Sequence, residues 1–368
     1  MKVAFINPFQ LRFPRGIERY VWELANQLAG PHYSVETHVL TRNQPNPVDW
    51  GTSPANLRIR RVPYFRYYGK YLAIPFYLYW LARERYDWVF LSFASYGEAE
   101  ALALLQRYRQ QRYCIVFHFP HDLVPHRYKA FTRRGIAARA DRLVAVSHHV
   151  AEGVSDYYQR ECAVIGNGVD PEVFRPSDKT RTMIREQMGV SGQGPILVTL
   201  AALEERKGVQ WIIRAIPHLL GEFPDLQFWV LGEGSYRSAL EDMIRQHDLS
   251  AQVRLLGSQA DVIPYLTAAD MGCLLSYGEA FPITLLEYMA TQLPIIASRH
   301  PPFPELIQPD AGLMVDEKDS HAVADAIRSL WRDPEKVSRM GLAGRARILQ
   351  NHTWEIVARQ YMALMDSS

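Results

Sequence analysis

One feature constrains this chain more than any other. Short runs of β-branched and other apolar residues alternate with longer stretches of helical spacing. Apolar runs fill residues 2–7 (KVAFIN), 35–40 (VETHVL), 88–92 (WVFLS), 112–118 (RYCIVFH), 142–147 (RLVAVS) and 162–166 (CAVIG), with helical spacing over 18–28, 98–110 and 149–158. That order is the mark of βαβ units feeding a parallel sheet. After Gly166-Asn167-Gly168 a stretch rich in Pro, Asp and Arg (170–180) interrupts the pattern, which restarts at 195–201 (PILVTLA) and runs through 226–232, 253–257, 271–276, 293–298 and 312–315. The expectation is an α/β chain of two doubly wound, Rossmann-like domains facing a cleft, one over 1–169 and one over 170–352. The length of 368 residues agrees with two domains. Each such sheet offers a crevice at the C-terminal ends of its strands, a common place for a nucleotide-containing ligand.

Composition removes several function classes. Apolar residues at 48% and charged residues at 22% exclude a disordered or fibrous chain. The net charge of +2 gives no support for a nucleic-acid partner. It conceals an asymmetry, with 23 basic and 15 acidic side chains in residues 1–175 against 18 and 24 in the remainder. Cys114, Cys162 and Cys273 are far apart and form no C-x-x-C pair, against both a disulfide framework and a zinc site. A reducing, cytoplasmic setting is expected. The opening MKVAFIN is too short for a signal-peptide core, and the longest apolar stretch, 71–82, holds Pro75 and cannot span a bilayer.

The most informative segment runs from Ser276 to Ala290 (SYGEAFPITLLEYMA). A strand ends near Ser276 and a helix is expected after Pro282, which puts Glu279 in the loop and Glu287 on the helix. Two acids so placed are suited to gripping hydroxyls at two points of one extended ligand, while the helix start receives an anion. A second segment, Leu203-Glu204-Glu205-Arg206-Lys207-Gly208-Val209, lies between a strand and a helix and offers a diphosphate two cations and free N–H groups. The G-x-G piece at 232–234 does not extend to G-x-G-x-x-G, because Arg237 stands at the third position, which disfavours a nicotinamide reading. No Asp-x-Asp pair occurs.

Glu279-x7-Glu287, set in GEAFPITLLEYMA and followed by QLPIIAS, resembles the E-x7-E signature of the retaining family 4 glycosyltransferases, which have two Rossmann-like domains (the GT-B fold). The likeness reaches from the first strand to Trp354 and includes the linker NGVD-x-x-x-F at 167–174. It implies that Glu279 and the backbone of Ala280, Phe281, Pro282, Ile283 and Thr284 hold the transferred sugar, and that Glu287 holds the nucleotide ribose. It implies that Lys207 and Arg206 neutralise the leaving diphosphate, and that Gly257 and Ser258 touch the base. Gly16 in PRGIER would approach the diphosphate from the other domain. His121, in His118-Phe119-Pro120-His121-Asp122, would sit near the sugar, with His118 the runner-up. The final helix, about 353–368, would return to the N-terminal domain.

Two departures stand out, Ala202 where many members carry arginine and Arg15 in place of a glycine. The implied activity is metal-independent, cofactor-free transfer of a hexose from a nucleotide sugar, UDP-sugars ranked before GDP-mannose, to a glycan or lipid-linked saccharide, as in polysaccharide biosynthesis. Retention would proceed by front-face attack. A nucleotide-sugar epimerase of the same architecture, or a non-catalytic sugar-nucleotide or glycan-binding subunit, are the alternatives.

Between residues 58 and 85, Arg58, Arg60, Arg61, Arg66, Lys70, Arg83 and Arg85 interleave with nine aromatic residues, and Arg133, Arg134, Arg139 and Arg142 extend the basic character. Cations mixed with rings suit an anionic headgroup layer, so peripheral contact with the inner face of the plasma membrane is expected. An amphipathic helix packed on the first sheet is the other reading of the same residues.

Overall fold

The computed structural model describes residues 1–7, 16–42, 53–63, 72–92, 96–107, 110–119, 135–190, 192 and 194–367. The chain divides into two compact units, Met1–Gly168 with Trp354–Ser368, and Val169–Thr353.

In the first unit the described strands are β1 (Lys2–Asn7), β2 (Glu36–Arg42), β3 (Leu57–Val62), β4 (Trp88–Leu91), β5 (Tyr113–Phe117), β6 (Arg142–Ala145) and β7 (Ala163–Val164). They pair in parallel in the order β3-β2-β1-β4-β5-β6-β7. Every residue of β4 and β5 is buried, which is why those segments read as unbroken apolar runs. β3 was not foreseen. Its sequence LRIRRV buries only Leu57 and Val62 fully, and its arginines suit the edge of a sheet.

The helix Gly16–Ala29 packs Tyr20, Val21, Leu24, Ala25 and Leu28 inward at helical spacing. The helix expected over 98–110 is instead Tyr96–Leu105, giving way to a turn at Gln106 and Arg107. Trp354–Asp366, far along the chain, completes this unit by burying Trp354, Val357, Ala358, Tyr361 and Met365. Its Tyr361 hydroxyl lies 2.5 Å from that of Tyr20, and its ring meets Phe90 edge-on at 5.6 Å.

The second unit holds β8 (Ile196–Leu200), β9 (Gln227–Leu231), β10 (Val253–Gly257), β11 (Met271–Leu274), β12 (Ile295–Ser298) and β13 (Gly312–Val315), all parallel, in the order β10-β9-β8-β11-β12-β13. The order reverses between β8 and β11, the switch point at which open α/β sheets bind ligands outside the strand ends. The loops after β8 and β11 carry Arg206-Lys207 and Glu279. Among the described residues no helix is long and apolar enough to cross a membrane.

Candidate functional site

The loop after β8 closes in a short 3-10 turn, Glu205–Lys207, and passes through Gly208 into the helix Val209–Ala215. Gly208 adopts φ +72°, and a β-carbon there would stand 2.0 Å from the carbonyl oxygen of Leu275 at the end of β11. Only glycine lets the two loops press together this closely. The Tyr277 N–H then donates to the Arg206 carbonyl at 3.0 Å, joining the loops backbone to backbone.

That contact assembles the charged groups. Lys207 Nζ donates to Glu279 Oε1 at 2.6 Å, and Arg206 Nη1 lies 3.8 Å from the same oxygen. Arg206 is held from its other side by Glu204, with Nε to Oε2 at 2.9 Å. Glu279 is 9% exposed and Glu287 is 2% exposed. The helix Ile283–Ala290 starts directly after Pro282 and presents its positive dipole end in the same loop. Its neighbour to Glu287, Tyr288, is buried and accepts from the Leu200 N–H at 2.8 Å, which fixes the helix against the end of β8. Burial pushes the Tyr288 hydroxyl well above its ordinary range.

The remaining second-unit residues share this edge. The Gly232 N–H donates to the Gly257 carbonyl at 2.8 Å, and Leu203 N–H to Glu233 O at 3.0 Å, so the loops after β8, β9 and β10 are tied in series. Gly232 sits at φ +139° with a would-be β-carbon 1.9 Å from Ala201 O, while Ser258 is exposed beyond β10. Arg206, Lys207 and Glu279 are therefore in mutual contact. Ala280, Phe281, Pro282, Ile283, Thr284 and Glu287 follow on the same loop and helix, and Gly257 and Ser258 lie toward the β10 edge.

The first-unit candidates fare differently. Gly16 opens the helix Gly16–Ala29, exposed, with space for a β-carbon. His121 and Arg15 lie outside the described residues, as do Arg66, Lys70, Arg133 and Arg134. His118 follows β5, is 9% exposed and meets Tyr20 edge-on at 4.6 Å. Burial pushes its imidazole down to about 3, so it is neutral at ordinary pH.

The basic and aromatic stretch is only partly free. Arg60 donates to Glu84 Oε1 at 3.0 Å and stacks over Trp80 at 4.7 Å. Glu84 and Glu36 also take Lys2 Nζ, at 2.5 and 3.1 Å. Together with His38 these acids form a cluster of metal-ligand type at the strand N-terminal side, but Lys2 and Arg60 already neutralise it. Arg58, Arg61, Arg83 and Arg85 remain exposed, as do Leu72, Phe76 and Tyr79 on or beside the helix Ile74–Glu84.

Sequence reasoning missed Glu204, Tyr288, and the Ser298 hydroxyl that donates to the Ser276 carbonyl at 2.5 Å. None carries a motif. Tyr288 and Ser298 matter only once strand order sets one element beside another, whereas Glu204 acts within its own loop, two residues from Arg206.

The chain matches two family descriptions, one in each half. Residues 14–173 match Glycosyltransferase Family 4 and residues 180–347 match Glycosyl transferases group 1. A GDP-mannose-dependent monoacylated alpha-(1-6)-phosphatidylinositol monomannoside mannosyltransferase of Corynebacterium glutamicum is 30% identical over 213 residues. That match covers 55% of this chain and 55% of that protein, so the chain spans about half of that relative's length. The phosphatidyl-myo-inositol mannosyltransferase of Mycolicibacterium smegmatis is 24% identical over 100% of this chain and 94% of its own. Among solved structures, Anabaena HepE in complex with UDP and glucose superposes with a TM-score of 0.82 at 18% identity, covering 100% of both chains, a likeness of fold. Matched over both halves, and built from two parallel Rossmann-like sheets, the chain belongs to the family 4 glycosyltransferases of the GT-B fold.

Proposed function

We propose that this glycosyltransferase is a retaining hexosyltransferase that takes a nucleotide-diphosphate sugar at the C-terminal edge of its second sheet and passes the hexose to a glycan or lipid-linked saccharide. The observation that carries the reading is the convergence of Arg206, Lys207 and Glu279 at the β8/β11 switch point. An ammonium has three protons to donate and Glu279 takes one, which leaves capacity for phosphate oxygens.

When the bond from the anomeric carbon to the diphosphate breaks, negative charge grows on the leaving oxygen. Lys207, Arg206 and the dipole of Ile283–Ala290 gather at one loop edge, and charge developing there would be stabilised by all three. These cations do the work that a metal ion does in other transferases. Glu279 and the backbone from Ala280 to Thr284 hold the sugar hydroxyls, Glu287 holds the ribose, and Gly257 and Ser258 meet the base. Retention follows if the departing phosphate takes the acceptor's proton on the face it leaves. His121 and Gly16 keep the roles that the family resemblance implies for them.

The ranking of donors shifts with the relatives. The curated proteins above are named for mannosyl transfer, one of them with GDP-mannose, so GDP-mannose is the first donor to titrate and UDP-glucose the second. Their names also support a phosphoinositide-type or other lipid-linked acceptor. Exposed Leu72, Phe76 and Tyr79, with Arg83 and Arg85 at the end of the same helix, fit peripheral contact with an anionic bilayer.

The test is calorimetric titration of the chain with GDP-, UDP- and ADP-sugars in EDTA, repeated with Glu287→Ala and Lys207→Ala. One nucleotide series should bind, and weaken at least tenfold in each variant. Binding that survives both substitutions defeats the site. Product that forms from donor without added acceptor points to the epimerase, and binding without any turnover points to a non-catalytic subunit.

A further inference from the structure

Beside the diphosphate site, two rings stand out of an otherwise buried rim. Tyr277 is 43% exposed, although its loop neighbours Ser276, Glu279 and Phe281 are buried. His300, in the loop after β12, has its ring centroid 6.4 Å from that of Tyr277 with the planes at 67°. One edge of His300 is committed, since Nε2 pairs with Glu317 Oε1 at 2.9 Å. The Glu317 side chain is 7% exposed and that of His300 is 46% exposed. Glu317 follows β13, so three neighbouring loops contribute.

The cost of burying a carboxylate is recovered only when it is paired. Here the pairing uses Nε2 of a partly exposed imidazole and leaves the second ring nitrogen out of that contact. The corner is rigid as well. Ser298 Oγ clasps the β12 end to Ser276, and the Tyr277 N–H is held by Arg206. An exposed tyrosine ring on an anchored backbone, at an angle to an imidazole paired with Glu317, matches a pyranose ring, whose C–H face packs on tyrosine while its hydroxyls reach nitrogen. Along the sheet edge the corner comes next after Lys207 and Glu279, running from β8 through β11 to β12.

We infer that Tyr277 and His300 form a pyranose-binding subsite, with Glu317 as the positioning residue that orients His300. The inference rests on the donor-site reading above. The pyranose has two sources, the transferred hexose or the terminal sugar of the acceptor.

Saturation-transfer NMR of the full chain with methyl α-glycosides of glucose, galactose, mannose and N-acetylglucosamine, with and without GDP or UDP, tests it. At least one glycoside should give signals that fall at least fivefold in Tyr277→Ala and in His300→Ala, with unchanged melting temperature. Glu317→Ala should lower them and Glu317→Gln restore them, which a merely structural acid does not do. Affinity for GDP or UDP alone should stay within twofold. A further loss for GDP-mannose or UDP-glucose over the bare nucleotide assigns the corner to the transferred hexose, and a loss confined to glycosides assigns it to the acceptor. No glycoside signal in the parent chain, signals that persist in both variants, or a parallel fall in nucleotide affinity each overturn the inference. Glycosides bound through Tyr277 and His300 by a chain that binds no nucleotide would keep the subsite and defeat the donor reading.

Discussion

Replacing Gly208 by alanine tests the central packing claim, that two loops must touch for the charged groups to meet. The new β-carbon would lie 2.0 Å from the Leu275 carbonyl oxygen, against a floor of 3.0 Å for real β-carbons, so one loop must retreat by at least 1.0 Å. Alanine at φ +72° costs about 1–2 kcal/mol. Overpacking a tight contact adds about 1–3 kcal/mol. If the Tyr277 N–H loses Arg206 in the process, about 1 kcal/mol more follows. A total near 4 kcal/mol lowers the melting temperature of a domain of this size by roughly 8–16 °C. Scanning calorimetry measures the drop, with Gly221→Ala as control, because nothing lies within 4 Å of a β-carbon at that exposed site. In molecules that remain folded, a displacement of about 1 Å between Lys207 and Glu279 should reduce turnover on the order of a hundredfold. A Gly208→Ala protein that melts like Gly221→Ala and binds nucleotide normally would refute the reasoning.

Four further outcomes are expected. Lys207→Ala should cut transfer at least about tenfold, a loss of roughly 1.4 kcal/mol of transition-state stabilisation, and Glu279→Ala should do the same; initial rates with labelled donor decide it. Burial holds His118 at about 3 in the folded chain against 6.5 for a free imidazole, so between those values the unfolded state binds the extra proton and stability falls as pH drops. From pH 7 to 4.5 that amounts to about 2–3 kcal/mol, and urea melts of His118→Phe should show a shallower decline. Tyr20→Phe and Tyr361→Phe each orphan a buried hydroxyl and should each cost about 1–2 kcal/mol, while the double variant costs less than their sum in a double-mutant cycle. Phe76→Ser with Tyr79→Ser should release the chain from anionic vesicles in a pelleting assay, and equal pelleting before and after removes the membrane contact.

The strands of both sheets were legible because a buried parallel strand needs β-branched and apolar residues on both faces, and the runs around Phe5, Val89, Ile115 and Trp229 have them. β3 escaped for the opposite reason. An edge strand with Arg58, Ile59 and Arg61 turned out to solvent has no periodic apolar face to read, and its arginines look like surface charge. In the site, Glu279 and Glu287 share one segment and were visible as a spacing. The meeting of Lys207 with Glu279, 72 positions apart, depends on β8 and β11 being neighbours, which only sheet order reveals. Tyr277, His300 and Glu317 come from three separate loops and leave no local trace. Arg60 shows the reverse error, since a cation that seems available in the sequence is already paired with Glu84 and Trp80.

The return of Trp354–Asp366 to the first unit has a consequence for the order in which the chain can mature on the ribosome. Val169–Thr353 is one continuous stretch and holds all six strands of its own sheet, so it can close as soon as it emerges. The first unit is made earlier yet finished later, because Tyr20 and Phe90 lack the covering Tyr361 until its helix has been synthesised. During that interval apolar surface of the first unit stays uncovered, and the nascent chain is then most in need of a chaperone.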